Sequence, residues 1–87
     1  MSFKTQLARR LAHTLRVREI VRCGHLAPMH RGMWIATEST DGSYIAGELE
    51  EVERESRDVW RLVLIGSLGF EQAWPVHVST PVTLGRP

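Results

Sequence analysis

The stretch MWIATESTDGSYIAGELEEVERESRDVWRLVLIG, residues 33–66, decides the fold. Two apolar runs, 33–37 and 44–49, flank a polar segment, 39–43. Asp41-Gly42 at its centre is a hairpin pair, because glycine accepts positive φ without steric cost and aspartate tolerates it. The flanks carry Trp34, Ile35, Thr37, Tyr44 and Ile45, which suit a pleated, half-buried surface. A third run, Val59 to Ile65, is short, β-branched and stopped by Gly66. Its alternation puts Trp60, Leu62 and Leu64 on one face and Val59, Arg61, Val63 and Ile65 on the other. The stretch predicts three antiparallel strands in a meander.

The segment 48–58, ELEEVERESRD, admits two readings. Glu50 and Arg54, and Glu53 and Arg57, are four apart with the acid first, which supports a short helix. Gly47 just before it favours a bent strand that runs into a charged loop, since a glycine inside a helix costs about 1 kcal/mol relative to alanine. The strand reading is preferred.

Eighty-seven residues make one domain, 1–87, which buries roughly 60–65% of its unfolded surface. A hydrophobic content of 43% is that of a folded globular chain, so disorder is not expected. A single cysteine, Cys23, leaves no intrachain disulfide to form. No apolar run is long enough for a membrane span and no signal-peptide core opens the sequence, so a soluble, cytoplasmic protein is expected. The net charge of +1 hides an asymmetry. Residues 1–32 hold seven basic side chains and one acid, for +6, whereas residues 33–87 hold nine acids and four arginines, for −5. A basic first third on an acidic remainder suits a nucleic-acid or acidic partner, or internal pairing within one chain or between copies.

Ser2 is placed to cap a helix opening at Phe3. Phe3, Leu7, Leu11 and Leu15 recur every four residues beside Ala8 and Ala12, one apolar stripe at helical period. Arg9, His13 and Arg16 fall on the opposite side, with Arg10 at the flank. A basic amphipathic helix is therefore expected within 1–22, best defined as far as Arg16, because continuing it would bring Arg18 into the stripe. Residues 23–32 read as a loop punctuated by Gly24, Pro28 and Gly32. This loop gathers the metal-ligating types Cys23, His25 and His30, with His77 a conceivable fourth. It has no Cys-x-x-Cys and no paired-histidine spacing, so solvated or locally bonded histidines are expected rather than zinc. No motif implies a cofactor. Beyond the turn at 66–69, Trp74, Val76 and Val78 alternate with Pro75 and His77. Pro75 lacks a ladder donor, so its strand lies at an edge, at a bulge, or starts late. A short strand at 82–84 and a tail, 85–87, complete the chain.

An α+β domain follows: an N-terminal helix, a loop, and about five short antiparallel strands over 33–84. With Asp41-Gly42-Ser43-Tyr44-Ile45-Ala46-Gly47-Glu48-Leu49 and the later Leu62-Val63-Leu64, this layout resembles the Sm-like small barrels, relatives in shape of the SH3-like barrels. The resemblance implies a closed barrel with a hairpin Asp-Gly, an apolar strand, a bend glycine and a leucine. It does not extend to RNA contacts. The second Sm motif is a basic-glycine turn, and this chain has Val78-Ser79-Thr80-Pro81-Val82 in that place. The Asn usual after the first strand is also missing.

No nucleophile elbow, phosphate loop or pocketed carboxylate pair is visible, so no enzyme activity is expected. Two functions remain. The first is a protein-interaction or assembly module, in which Glu48, Glu50, Glu51, Glu53, Glu55 and Asp58 face a basic protein or another copy's basic helix. The alternative is an RNA- or DNA-binding module in which Arg9, Arg10, His13 and Arg16 contact phosphates. Trp34, Trp60 and Trp74 could stack on bases, but tryptophans in so small a domain more often belong to its core.

Overall fold

The computed structural model describes residues 19–85. At its centre is the meander that the sequence predicts. Strand β2, Trp34–Glu38, pairs antiparallel with β3, Tyr44–Arg54, which pairs with β4, Val59–Ile65, which pairs with β5, Glu71–His77. The hairpin between β2 and β3 uses the Asp-Gly pair in an unexpected way. Only Gly42 takes positive φ, 86°. The Asp41 carboxylate instead accepts the Ser43 N–H at 2.9 Å and the Ser39 hydroxyl, and the Gly42 N–H donates to the Ser39 carbonyl. Aspartate here fixes the turn through its side chain rather than through its own backbone.

Two further strands flank the meander. Strand β6, Pro81–Gly85, pairs with β2, and β1, Glu19–Arg22, pairs with β6. The order across the six-stranded sheet is β1-β6-β2-β3-β4-β5, all antiparallel. The expected α+β class is thereby corrected to all-β, because the described residues contain no α-helix. The last four residues of the helix expected over 1–22 are strand β1. Ile20 and Val21 favour extended backbone, and β6 offers them a ladder that a helix would leave unmet. The rest of that expected helix, 1–18, lies outside the described residues, as do 86 and 87. Between β1 and β2 the expected loop folds into two single 3₁₀ turns, Cys23–His25 and Pro28–His30. Gly85, assigned from sequence to the tail, is buried in β6 opposite Trp34.

The expected closed barrel is also corrected. Strands β1 and β5 are the two ends of the sheet and do not pair with each other. The sheet is nevertheless strongly coiled, for a simple reason of reach. Strands β5 and β6 lie four positions apart, about 19 Å in a flat sheet. The chain from His77 to Pro81 reaches at most about 14 Å. Single hydrogen bonds hold the coil across its gap. Cys23 and Gly24 N–H donate to the Thr80 and Val78 carbonyls, and Thr40 N–H donates to the Pro75 carbonyl. Pro75 thus sits on an edge strand, where its missing donor breaks no ladder.

Coiling brings one face of every strand into a single core. Ile35, Ile45, Leu49, Leu62, Leu64, Val76, Val82 and Leu84 meet there with Cys23 and Leu26. Trp60 and Trp74 pack against this core half-buried, as expected of structural tryptophans, and Trp34 is half-buried outside it. Gly47 leaves no room for a side chain between β3 and β4. A β-carbon there would stand 2.8 Å from the Ile65 carbonyl oxygen.

Candidate binding groove along strand β3

Strand β3 is eleven residues long and outruns its neighbour β2. The β2 ladder ends at the pair Trp34–Glu48. One more step follows, with Leu49 N–H donating to the Met33 carbonyl and its carbonyl accepting Gly32 N–H. Beyond Leu49, β3 has a strand partner only on the β4 side. A β-bulge lies at this same point, because Leu49 faces Leu64 while Glu51 already faces Val63, leaving Glu50 as the extra residue.

The segment that follows β1 crosses beside this half-paired stretch. Between them lies a groove of about 450 Å³. Leu26, Pro28, Leu49, Val52 and Trp60 give it an apolar lining, while Arg31, Glu50, Glu51 and Arg54 give it a charged one. Arg31 and Glu50 are ion-paired at 3.1 Å, and the Arg54 guanidinium lies 5.1 Å from the centre of the Trp60 ring. Glu51 is exposed and makes no ion pair among the described residues. Such a site can hold an apolar side chain of a partner, with charges of both signs at its margin.

The six acids singled out in the sequence do not form one surface. Glu50 and Glu51 belong to the groove. Glu53 and Glu55 are both held by Arg61, at 3.9 and 3.0 Å. Glu48 lies half-buried between Trp34 and Ile65 on the neighbouring strands. Asp58 closes the β3–β4 loop, where its carbonyl accepts Val78 N–H. The helical reading of 48–58 is resolved as strand through Arg54, and then a loop tied by Ser56 and Val59. Arg9, Arg10, His13 and Arg16 lie outside the described residues. Residues 19–85 themselves hold ten acids and five arginines, for −5.

The histidines and the cysteine serve separate local ends. Cys23 is fully buried, its thiol facing the Val76 carbonyl at 3.9 Å, and burial pushes its pKa up to about 11. His30 Nδ1 accepts the Ala27 N–H at 2.9 Å and closes the second 3₁₀ turn, so that nitrogen is occupied. His25 is exposed. His77 Nδ1 is engaged by the Ser79 N–H and hydroxyl, at 3.1 and 2.7 Å. Among the described residues no three His, Cys, Asp or Glu side chains converge on a metal position. Nor do they include a helix long and apolar enough to cross a membrane.

Sequence reasoning missed the groove, although a signal for it was present. Ile45, Gly47 and Leu49 keep one period-2 phase, and Val52 falls into the other. A one-residue phase slip inside a strand is what a bulge leaves in a sequence. A smaller hollow of about 210 Å³ beside the β4–β5 turn is lined by Ala46, Leu68, Phe70 and Trp74 among others. Comparisons with protein-family models, with curated proteins and with solved structures return no match to this chain.

Proposed function

We propose that the protein is a non-catalytic interaction module whose β3 groove receives a basic, amphipathic segment of a protein. The observation that carries this reading is the groove itself, an apolar lining with two glutamates and two arginines at its margin, beside a strand half paired on its β4 side only, in a domain whose described residues carry a net charge of −5. Apolar anchors would give affinity, and the acidic field would speed encounter and set orientation. The placement of the chemistry-bearing side chains supports the same view. Cys23 is sealed in the core, and His30 and His77 are each committed to a local turn. The nucleic-acid reading ranks second, because the acids among residues 19–85 outnumber the arginines two to one and would repel phosphates.

Titration with a synthetic basic amphipathic peptide tests the proposal. The expected result is a chemical-shift change at Val52 and the Trp60 indole, weakening as salt is raised. Glu51→Lys should weaken binding by about fivefold, close to 1 kcal/mol. Shift changes confined to surfaces away from the groove would refute it.

A further inference from the structure

The sheet ends in two strands, β1 and β5, which do not pair with each other. Each has one edge without a strand partner among the described residues, and the backbone groups on both edges can be placed. On β1, Cys23 N–H donates to the Thr80 carbonyl, so alternation turns Val21 toward β6 and leaves the backbone groups of Ile20 and Arg22 facing outward. Pro81 opposite Arg22 agrees with this, since proline has no N–H to give to that pair. On β5, the Pro75 carbonyl points away from β4 to accept Thr40 N–H, so the backbone groups of Glu71 and Ala73 face outward as well. The faces follow from the core. Val21 packs against it, which puts Ile20 and Arg22 on the outer face of the sheet. Trp74 packs against it and Val76 lies in it, which puts Glu71 and Ala73 on the same outer face. Ile20 is 71% exposed, and Arg22, Glu71 and Ala73 are exposed too.

We propose that β1 of one copy adds antiparallel to β5 of a second copy, with Ile20 opposite Ala73 and Arg22 opposite Glu71. Both pairs then exchange their outward N–H and C=O groups. Val21 falls opposite Gln72 on the core side, so the sheet runs from copy to copy without a change of face. Neighbouring registers fail. A slip of two residues one way sets Ile20 against Pro75, which has no donor and whose carbonyl is already taken by Thr40. A slip the other way sets Arg22 against Gly69, which is in the β4–β5 turn. The charges match in the chosen register. Glu71 makes no ion pair among the described residues, and Arg22 makes one bond, from Nη1 to the Ser79 carbonyl at 3.0 Å, which leaves further guanidinium donors for a carboxylate. One chain cannot make this contact with itself, because its Gly24 N–H is bonded to the Val78 carbonyl, whereas the proposed register carries Gly24 to Gly69. The two joined edges differ, so the copies meet head to tail and build a ring or a filament rather than a two-fold dimer. None of these residues lines the β3 groove, so the inference does not depend on what that groove holds.

Sedimentation of the full chain at rising concentration provides the test. The parent should form species larger than one chain. Ala73→Pro and Ile20→Pro each remove an outward donor and no bond to the neighbouring strand, so each variant should fold, as its urea midpoint will show, and stay monomeric. An equimolar mixture of the two should form a heterodimer and stop there, since one variant keeps its β1 edge and the other its β5 edge. Arg22→Glu and Glu71→Arg should each weaken association by about fivefold, and the double variant should recover it. A parent that stays monomeric at about 1 mM would overturn the inference. A dimer formed by either proline variant alone would do the same, because the contact would then lie elsewhere. If the proline variants do not fold, the charge variants decide, and a double variant that associates no better than the single ones refutes the register.

Discussion

Gly47→Ala should destabilise the domain by about 1–2 kcal/mol, a figure that follows from the contact between β3 and β4. The added methyl would stand 2.8 Å from the Ile65 carbonyl oxygen, 3.2 Å from its carbon and 3.2 Å from the Leu64 β-carbon. Two of these three atoms are backbone and the third is attached to it, so no side-chain rotation relieves the crowding. The strands must part by several tenths of an ångström within an extensive ladder, next to the fully buried Leu49 and Leu64. Overpacking of this kind costs about 1–3 kcal/mol. The narrower unfolded ensemble of alanine returns about 0.5–1 kcal/mol. Urea unfolding followed by tryptophan fluorescence measures the difference. With a slope of about 1–1.5 kcal/mol per molar for so small a domain, the midpoint should fall by about 1 M. Gly66→Ala is the control, because a methyl there meets only the Phe70 carbonyl oxygen at 4.0 Å. If the two variants unfold at the same midpoint, the close approach at Gly47 does not govern the packing of β3 on β4.

Three further outcomes are expected. The Cys23 pKa is raised from 9.0 to about 11, so the stabilisation from its buried neutral thiol is complete below pH 9 and is lost as pH climbs toward 11. Denaturation midpoints across that range should therefore fall more steeply in the parent than in Cys23→Ala, and parallel slopes would contradict this. His30→Ala leaves the part-buried Ala27 N–H without its acceptor and should cost about 1 kcal/mol, and His30→Asn should recover part of it by offering a side-chain oxygen. Arg61→Ala removes the bridges to Glu53 and Glu55, but all three side chains are over two-fifths exposed, so the loss by the same urea assay should stay below about 1 kcal/mol.

The legible part of this fold was its local part. Alternation in 59–65 and the Asp41-Gly42 turn are each set by neighbours in sequence, and both appear in the sheet, as does the edge position, one of the three placements that Pro75 allows. Residues 19–22 depart from the expected helix because their partner, β6, lies some sixty residues further on. Arg18 breaks the apolar stripe and Ile20 and Val21 favour extended backbone, but only the distant partner shows that the chain becomes a strand there. The acidic run suggests one surface in sequence because its charges are contiguous. A strand sends alternate side chains to opposite faces, and the bulge at Glu50 then reverses the phase. After it Glu51 and Glu53 share one face, and the ion pairs divide the run, Glu50 going to Arg31 and Glu53 and Glu55 to Arg61. The groove needs three distant pieces of chain, Leu26 to Arg31, Leu49 to Arg54, and Trp60, and no local pattern brings them together.

The placing of β6 between β1 and β2 has a consequence for how the molecule assembles. Every pairing from β2 to β5 closes a hairpin between consecutive strands, which is the fast class of contact. Strand β1 has one neighbour only, and that neighbour is the strand farthest along the chain. During synthesis β1 leaves the ribosome before the meander exists, and it must wait, with Ile20 and Val21 unpaired, until β6 has docked. Folding therefore closes on the β1–β6 seam. The same seam is the first place where global stability can fall short, with the meander still intact behind it.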